Sequence, residues 1–396
     1  MPVAKHIFVA GAARTPIGKF GGALASLQAA DLGTFAAKAA IEASGAPADA
    51  IDETIFGNAR QAGVRPNVAR QIAHRAGVPD TAPAYTINKA CGSSLKAIMN
   101  AYGAITLGDA DVVLAGGTES MSNTPYLLLG ARWGYRLGHA EVVDAMYRDG
   151  FLCPLCEQLM GDTAENLVDR YGISREDSDR YAAESQHRCE AARASGRFKD
   201  EIIPIEVPGK KREVLRISED EHPRDGVTAE SLAKLPPVFR KDGTVHAGNS
   251  SGITDGAAAV VVLSEDKAKH LGVEPMARIV AYASAGVDPT IMGIGPVPAV
   301  KKLLEKTGLS LADIDLIELN EAFASQVLSC HKELGFDLER VNVNGGAISL
   351  GHPIGATGAR IVVTLLHEMK KRKARRGLAT LCISGGLGLA VLFEAV

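Results

Sequence analysis

Four short stretches hold side chains whose types and spacing could do chemistry. The first is Asn88-Lys89-Ala90-Cys91-Gly92-Ser93-Ser94-Leu95. Gly92, Ser93 and Ser94 suit a helix start, and Leu95, Ile98 and Met99 give that helix an apolar face. Cys91 therefore falls at or just before a helix N-terminus. The partial positive charge there favours a thiolate, and free backbone N–H groups can receive an anion. Cys91 is a candidate nucleophile; its ordinary use would be as a small buried hydrophobe.

The second stretch is Asn320-Glu321-Ala322-Phe323-Ala324, after an expected strand over 315–319. A polar pair where a strand gives way to a helix often faces a cleft, although a helix cap is the commoner use of such an Asn. The third runs from Asn342 to Arg360, with glycines at 345, 346, 351, 355 and 358 around a single His352. Tight backbone would hold that imidazole rigidly before a helix. No Lys-Ser or Lys-Thr follows the glycines, so a phosphate-binding P-loop is excluded. The fourth is Cys382-Ile383-Ser384-Gly385-Gly386-Leu387-Gly388. A cysteine leaving a strand into such a turn has backbone N–H groups free to aim at an oxyanion; core packing is its ordinary use.

The elements that must position these stretches form a repeat. A helix over 32–44, ended by Gly45, leads to Asp49-Ala50-Ile51-Asp52-Glu53-Thr54-Ile55 and a strand. A helix over 300–306, ended by Gly308, leads to Asp313-Ile314-Asp315-Leu316-Ile317 in the same way. The helix after Cys91 ends near Gly108 and precedes the strand Val112-Val113-Leu114-Ala115, closed by Gly116-Gly117. The helix after His352 ends near Gly377 and precedes a strand over 378–383, closed by Gly385-Gly386. The sequence thus predicts two similar α/β halves, with His352 at the repeat position of Cys91. Between them, residues 120–251 are polar and punctuated by proline, with helices over 160–171 and 174–196. Strand character returns at 257–263.

Composition bounds the rest. A chain of 396 residues, 46 % hydrophobic and 22 % charged, is a multi-module globular protein. A net charge of −3 supplies no global attraction to nucleic acid or to an anionic membrane. Six cysteines are too few for a disulfide framework in so long a chain, and the first residues carry no signal-peptide pattern. A cytoplasmic location is expected.

Together these stretches resemble the thiolase family of coenzyme A-dependent acyltransferases. The likeness runs from Ala12-Ala13-Arg14-Thr15-Pro16 to the last Gly-rich turn. It includes Met160-Gly161-Asp162-Thr163-Ala164-Glu165-Asn166, Val245-His246-Ala247-Gly248-Asn249-Ser250-Ser251-Gly252 and Met292-Gly293-Ile294-Gly295-Pro296. The resemblance implies an α/β fold of two duplicated halves with mixed sheets, layered α/β/α/β/α. It implies an N-terminal half over 1–119 and 252–273 and a C-terminal half over 274–396. An inserted loop domain over 120–251 would serve coenzyme A binding and oligomerisation.

The resemblance also implies roles. Cys91 would be acylated, His352 would take its proton, and Cys382 would be the acid/base for the second substrate. Asn320 would hold a water that forms one oxyanion hole with His352; the N–H groups of Cys91 and Ser384 would form the other. Arg224 would lie near the adenine and Ser251 by the pantetheine, with Phe239, Ala247, Met160 and Met292 as walls. Coenzyme A and acyl-CoA are then substrates, with no metal or separate cofactor. The implied activity is reversible, ping-pong formation or cleavage of acetoacetyl-CoA. Its rivals are a thiolase for longer 3-ketoacyl chains and, from another class, a non-catalytic acyl-CoA or lipid binding protein, against which Cys91, His352 and Cys382 argue. A condensing enzyme for carrier-protein substrates would place two histidines beside the cysteine.

Three positions depart from the family pattern. Ser384 stands where a Gly is usual, which matters if that position needs a left-handed backbone. Leu159 replaces a His common in acetyl-specific members, and His246 replaces a small hydroxylated residue; both changes are expected to touch the substrate pocket. Cys153-Pro154-Leu155-Cys156 has metal or redox spacing but no second pair nearby, so packing is expected. The basic run Lys370 to Arg376 is expected to be a solvated helix end. The apolar run Tyr126-Leu127-Leu128-Leu129, with Trp133 and Tyr135, marks an interface. A homotetramer is expected, with a homodimer as the alternative.

Overall fold

The computed structural model describes residues 6–209 and 213–396. Strand β1 (Ile7–Arg14), helix α1 (Ala29–Ser44), β2 (Glu53–Gly57), α2 (Val68–Ala76), β3 (Ala84–Ile87), α3 (Ser93–Leu107) and β4 (Val112–Ser120) build the first half. The middle of the chain contributes α4 (Met160–Tyr171) and α5 (Arg175–Ala194), and β5 (Thr254–Ser264) returns to the first half. The second half comprises β6 (Ala277–Gly286), α6 (Pro296–Thr307), β7 (Leu316–Leu319), α7 (Ala324–Leu334), α8 (Thr357–Arg372), β8 (Arg376–Ile383) and β9 (Leu387–Glu394). The expected helices over 32–44, 160–171 and 174–196 are α1, α4 and α5. Ser174 caps α5 by accepting from Asp177 N–H at 3.0 Å.

The strands form one mixed sheet in the order β7-β8-β9-β6-β1-β5-β4-β2-β3, with Gly18–Lys19 pairing onto β5. The two half-sheets meet only through Phe8↔Arg278 and Val9↔Ala277. Side-chain alternation places this sheet between helix layers. On β5, Ala258, Val260 and Val262 face the core that holds α3 and α8, while Ala257, Ala259, Val261 and Leu263 face α1 and α2. On β9, Leu389, Val391 and Phe393 face α3 and α8, while Ala390 and Leu392 face α6 and α7. Both faces are buried, which is why these strands read as unbroken apolar runs. Helices α3 and α8 therefore form the central layer of an α/β/α/β/α stack, each bounded by a sheet half on one side.

The repeated Gly-Gly pairs behave differently in the two halves. Gly385 and Gly386 take φ of 88° and 82° and make the turn between β8 and β9. Gly116 and Gly117 do not close a strand; β4 continues through them to Ser120. They are there for space: a Cβ on Gly117 would stand 2.2 Å from Gly355 O. The expected end of α8 near Gly377 is also displaced. Lys373 adopts the left-handed conformation, φ 53°, ending the helix four residues earlier, and Gly377 lies inside β8. The basic run is ion-paired at that end, through Lys371 to Asp200 and Arg372 to Glu368. Among the described residues no helix is long and apolar enough to cross a membrane.

Candidate active site

Cys91 lies one residue before the helix cap Gly92 of α3. The residue before it, Ala90, has φ 43°, a left-handed conformation that costs a non-glycine residue about 1–3 kcal/mol. Local bonds hold it there. Ala90 N–H donates to Asn88 Oδ1 at 3.1 Å, and Ala90 O accepts from Ser93 Oγ at 2.7 Å. Three residues on, Ser94 Oγ accepts from Ala359 N–H at 2.9 Å and fastens the start of α3 to the start of α8. Burial pushes the Cys91 thiol up, against the expected helix-start effect. The Ser384 N–H, the Arg60 charge and its own N–H pull the other way. At rest the group is a thiol and needs a base.

His352 carries a neutral imidazole of the kind such a step uses. The ring is buried at 7 % exposure, and Nδ1 lies 2.6 Å from Thr357 Oγ1. That hydroxyl donates its only proton to Pro353 O at 3.0 Å, so it accepts from Nδ1–H. The bond fixes the tautomer: Nε2 carries the lone pair. Burial, and then the charges of Arg360 and Arg60, hold the imidazole pKa down to about 3, so the ring is neutral around pH 7.

Cys382, the penultimate residue of β8, is almost completely buried. Burial, followed by the charge of a Cys91 thiolate, raises its thiol well above the ordinary range. Only one of the two cysteines can ionise cheaply at a time. Two residues on, Ser384 has no positive φ; the left-handed positions are Gly385 and Gly386. The Ser at this departure therefore fits the turn without strain, and its N–H points at the Cys91 sulfur beside the N–H of Cys91 itself.

Asn320 is fully buried at the end of β7, and its amide makes no hydrogen bond to the described residues through either Oδ1 or Nδ2. The commoner use of such an Asn, a helix cap, does not apply: Phe323, not Asn320, occupies the cap of α7. A buried amide without protein partners is costly unless a water or substrate uses it. Neighbouring Glu321 anchors the loop, accepting from Tyr181 Oη, Ser185 Oγ, Asn342 Nδ2 and Ile348 N–H at 2.8–3.0 Å.

Residues from distant stretches converge on Cys382. Met292, Phe323, Ala322, Ala164 and Val245 pack with it, joined by Met160 and Phe239. Ser251 N–H donates to Ala322 O at 3.0 Å, which lays the 249–251 segment along the Asn320 loop. Ala247 is exposed beside that segment. Arg224 stands in an exposed loop, its N–H on Gln186 Oε1 at 3.0 Å. On the other side of the nucleophile, Cys91 packs with Ala59, Met121, Met146, Ile354 and Phe151.

His246 is not in the pocket, contrary to expectation. It is fully buried, with Nε2 2.7 Å from Asp179 Oδ1 and Nδ1 accepting from Gly248 N–H at 3.0 Å. It ties its loop to α5. Leu159 sits at the cap of α4, immediately before Met160. Cys153 is buried and Cys156 partly so, in a short hairpin, both as free thiols. Two participants were missed from sequence: Thr357, visible only as the fifth residue after His352, and Arg60, whose charge reaches both Cys91 and His352.

Two family models match the chain in succession: "Thiolase, N-terminal domain" over residues 7–266 and "Thiolase, C-terminal domain" over 273–395. The chain belongs to the thiolase family. An acetyl-CoA acetyltransferase of Allochromatium vinosum is 54 % identical over 390 residues, covering 98 % of this thiolase and 99 % of the relative. The crystal structure of the Bacillus anthracis acetyl-CoA acetyltransferase superposes with a TM-score of 0.97 at 48 % identity, covering both chains completely. Human mitochondrial 3-ketoacyl-CoA thiolase in complex with CoA superposes at 0.95 and 45 % identity, covering 99 % of this thiolase and 98 % of that chain.

Proposed function

We propose that this thiolase is an acetyl-CoA C-acetyltransferase that makes and cleaves acetoacetyl-CoA reversibly through an acyl-cysteine. The observation that carries the reading is the His352–Thr357 hydrogen bond, which leaves Nε2 free to act as a base for a Cys91 thiol that burial keeps protonated. His352 takes the Cys91 proton, and the thiolate attacks the thioester carbonyl. The N–H groups of Cys91 and Ser384 stabilise the oxyanion, and coenzyme A leaves with the proton. In the condensing half-reaction the neutral His352 first takes the Cys382 proton, the Cys382 thiolate then removes the α-proton of acetyl-CoA, and the enolate oxygen is held at His352 with a water on Asn320. The new carbon–carbon bond forms at the acyl carbon, and the Cys91 thiolate departs and regains its proton from His352. In the thiolytic direction the Cys382 thiol gives its proton to the departing carbanion.

Phe239, Met160, Met292, Ala247 and Ser251 are proposed to line the pantetheine arm, with Arg224 at the adenine end. The segment 120–251 is proposed as the module that supplies most of these contacts. A spectrophotometric assay of coenzyme A-dependent thiolysis, run over acyl-chain length, tests the reading. Activity greatest on acetoacetyl-CoA supports it, greater activity on longer 3-ketoacyl chains favours the broader thiolase, and no thiolysis defeats it.

A tetramer is proposed on the exposed apolar run. Trp133 is 85 % and Leu137 99 % exposed, beside exposed Tyr126, Leu128, Leu129 and Tyr135. A contiguous apolar surface of this kind is typical of an interface core. Light scattering should give a tetramer that Leu128→Asp reduces to dimers; a dimer unaffected by the change contradicts it.

A further inference from the structure

Glu119 is a fully buried carboxylate near the end of β4, in the half that carries the nucleophile. Its Oε1 accepts from Asn58 Nδ2 at 2.7 Å and from Arg60 N–H at 3.0 Å. Its Oε2 accepts from Ala59 N–H at 3.1 Å and from Gly355 N–H at 2.8 Å. Both oxygens are thus shared out, three donors from one loop and one from another. The Arg60 guanidinium, itself buried, faces the carboxylate as counter-charge.

Each of these loops leads directly to a reacting group. Ala59 O accepts from Asn88 Nδ2 at 3.2 Å, and Asn88 Oδ1 in turn receives Ala90 N–H at 3.1 Å. That bond holds the left-handed residue before Cys91. On the other limb, Gly355 follows His352 by three residues, inside the turn that Thr357 Oγ1 closes onto Pro353 O. One carboxylate therefore connects the loop of the nucleophile to the loop of its base, across 236 residues of chain.

We propose that Glu119 is a positioning residue that holds the Cys91 loop and the His352 loop in reacting register. The proposal rests on the reading of Cys91 and His352 as a nucleophile–base pair. The four hydrogen bonds are ones only a carboxylate can make, because every partner is a donor. An amide at this place would turn an NH₂ towards two N–H groups and release one of the loops. Reacting atoms displaced by about 1 Å lose on the order of 10²-fold in rate, even when the altered residue is remote from them.

The test compares Glu119→Gln with Asp315→Asn. Asp315 likewise accepts two backbone N–H groups, those of Arg375 and Arg376, but lies at the opposite end of β7 from Asn320. The first readout is the rate of Cys91 alkylation by iodoacetamide, located by peptide mass, which requires no acyl-transfer activity. The second is the split between kcat and KM in thiolysis. Glu119→Gln should slow Cys91 alkylation and kcat by about 10²-fold with KM changed by less than about threefold, whereas Asp315→Asn should leave both at wild-type values. Should Glu119→Gln not fold, Asn88→Ala decides: it cuts the limb to Ala90 at an exposed position and should slow alkylation in the same way, and a wild-type rate in it would overturn the proposal. Wild-type alkylation rates in the folded Glu119→Gln protein, or an equal fall in Asp315→Asn, would overturn the proposal. Loss of thiolysis in the wild-type protein would instead count against the acetyl-transfer reading and leave the alkylation comparison intact.

Discussion

The two halves share a fold and divide the chemistry unequally. The N-terminal half presents one reactive atom, the Cys91 sulfur, on a turn strained at Ala90 and braced by Asn88 and Ser93. On the proposed function the C-terminal half presents the groups that handle protons and oxyanions: His352, Cys382, Asn320 and the Ser384 N–H. Equivalent devices were put to different uses. The Gly-Gly pair of the second half turns the chain so that Ser384 can donate; that of the first half stays extended so that the His352 loop can lie against β4. Each half also spends one buried glutamate on four donors, Glu119 across the halves and Glu321 between its own half and α5 of the middle segment. The difference shows why a duplicated fold suits this chemistry: two helix N-termini, those of α3 and α8, converge on one point from opposite chains of support.

The sharpest way to break the division is to remove proton handling while leaving the nucleophile. Cys382→Ala should still be acylated at Cys91, while carbon–carbon bond formation falls by about 10²–10⁴-fold, as for loss of a general acid–base. Near-normal condensation by this variant would place the second proton transfer elsewhere. A smaller effect is expected from Thr357→Val, which removes the acceptor for His352 Nδ1–H but keeps the ring. The preferred tautomer is then no longer fixed, and the acylation rate should fall by about tenfold. An unchanged rate would mean that the ring is oriented by something other than Thr357. The smallest effect should come from the inserted segment. Arg224→Ala should raise KM for coenzyme A substrates several-fold with little change in kcat, as expected for binding remote from the reacting carbon. If truncated pantetheine substrates are equally affected, Arg224 does not serve the nucleotide.

Much of this was legible in the residues. Cys91, His352 and Cys382 each stand out because glycines and helix starts surround a single reactive side chain, and these are local patterns. Two similar α/β halves follow from the repeat and from continuous apolar strands; their five-layer arrangement is implied by the resemblance to the family. What escaped depends on distant partners. Thr357, which fixes the His352 ring, is an inconspicuous residue in the sequence until the fold closes its hydroxyl onto Nδ1. His246 sits in a segment that flanks the pocket, and only the distant Asp179 turns it inward. Glu119 looks like an ordinary acid at a strand end; its meaning lies in Gly355, more than two hundred positions away. The sign of the Cys91 shift was also misjudged, because the helix-start effect is local and the opposing burial is not.

The central claim is that the N-terminal half carries the acyl group and the C-terminal half the protons. Incubation with radiolabelled acetyl-CoA, acid quenching and peptide mapping test it directly. The label should appear on the peptide bearing Cys91, persist in Cys382→Ala and vanish in Cys91→Ala. Label on Cys382, or undiminished label in Cys91→Ala, would contradict the account.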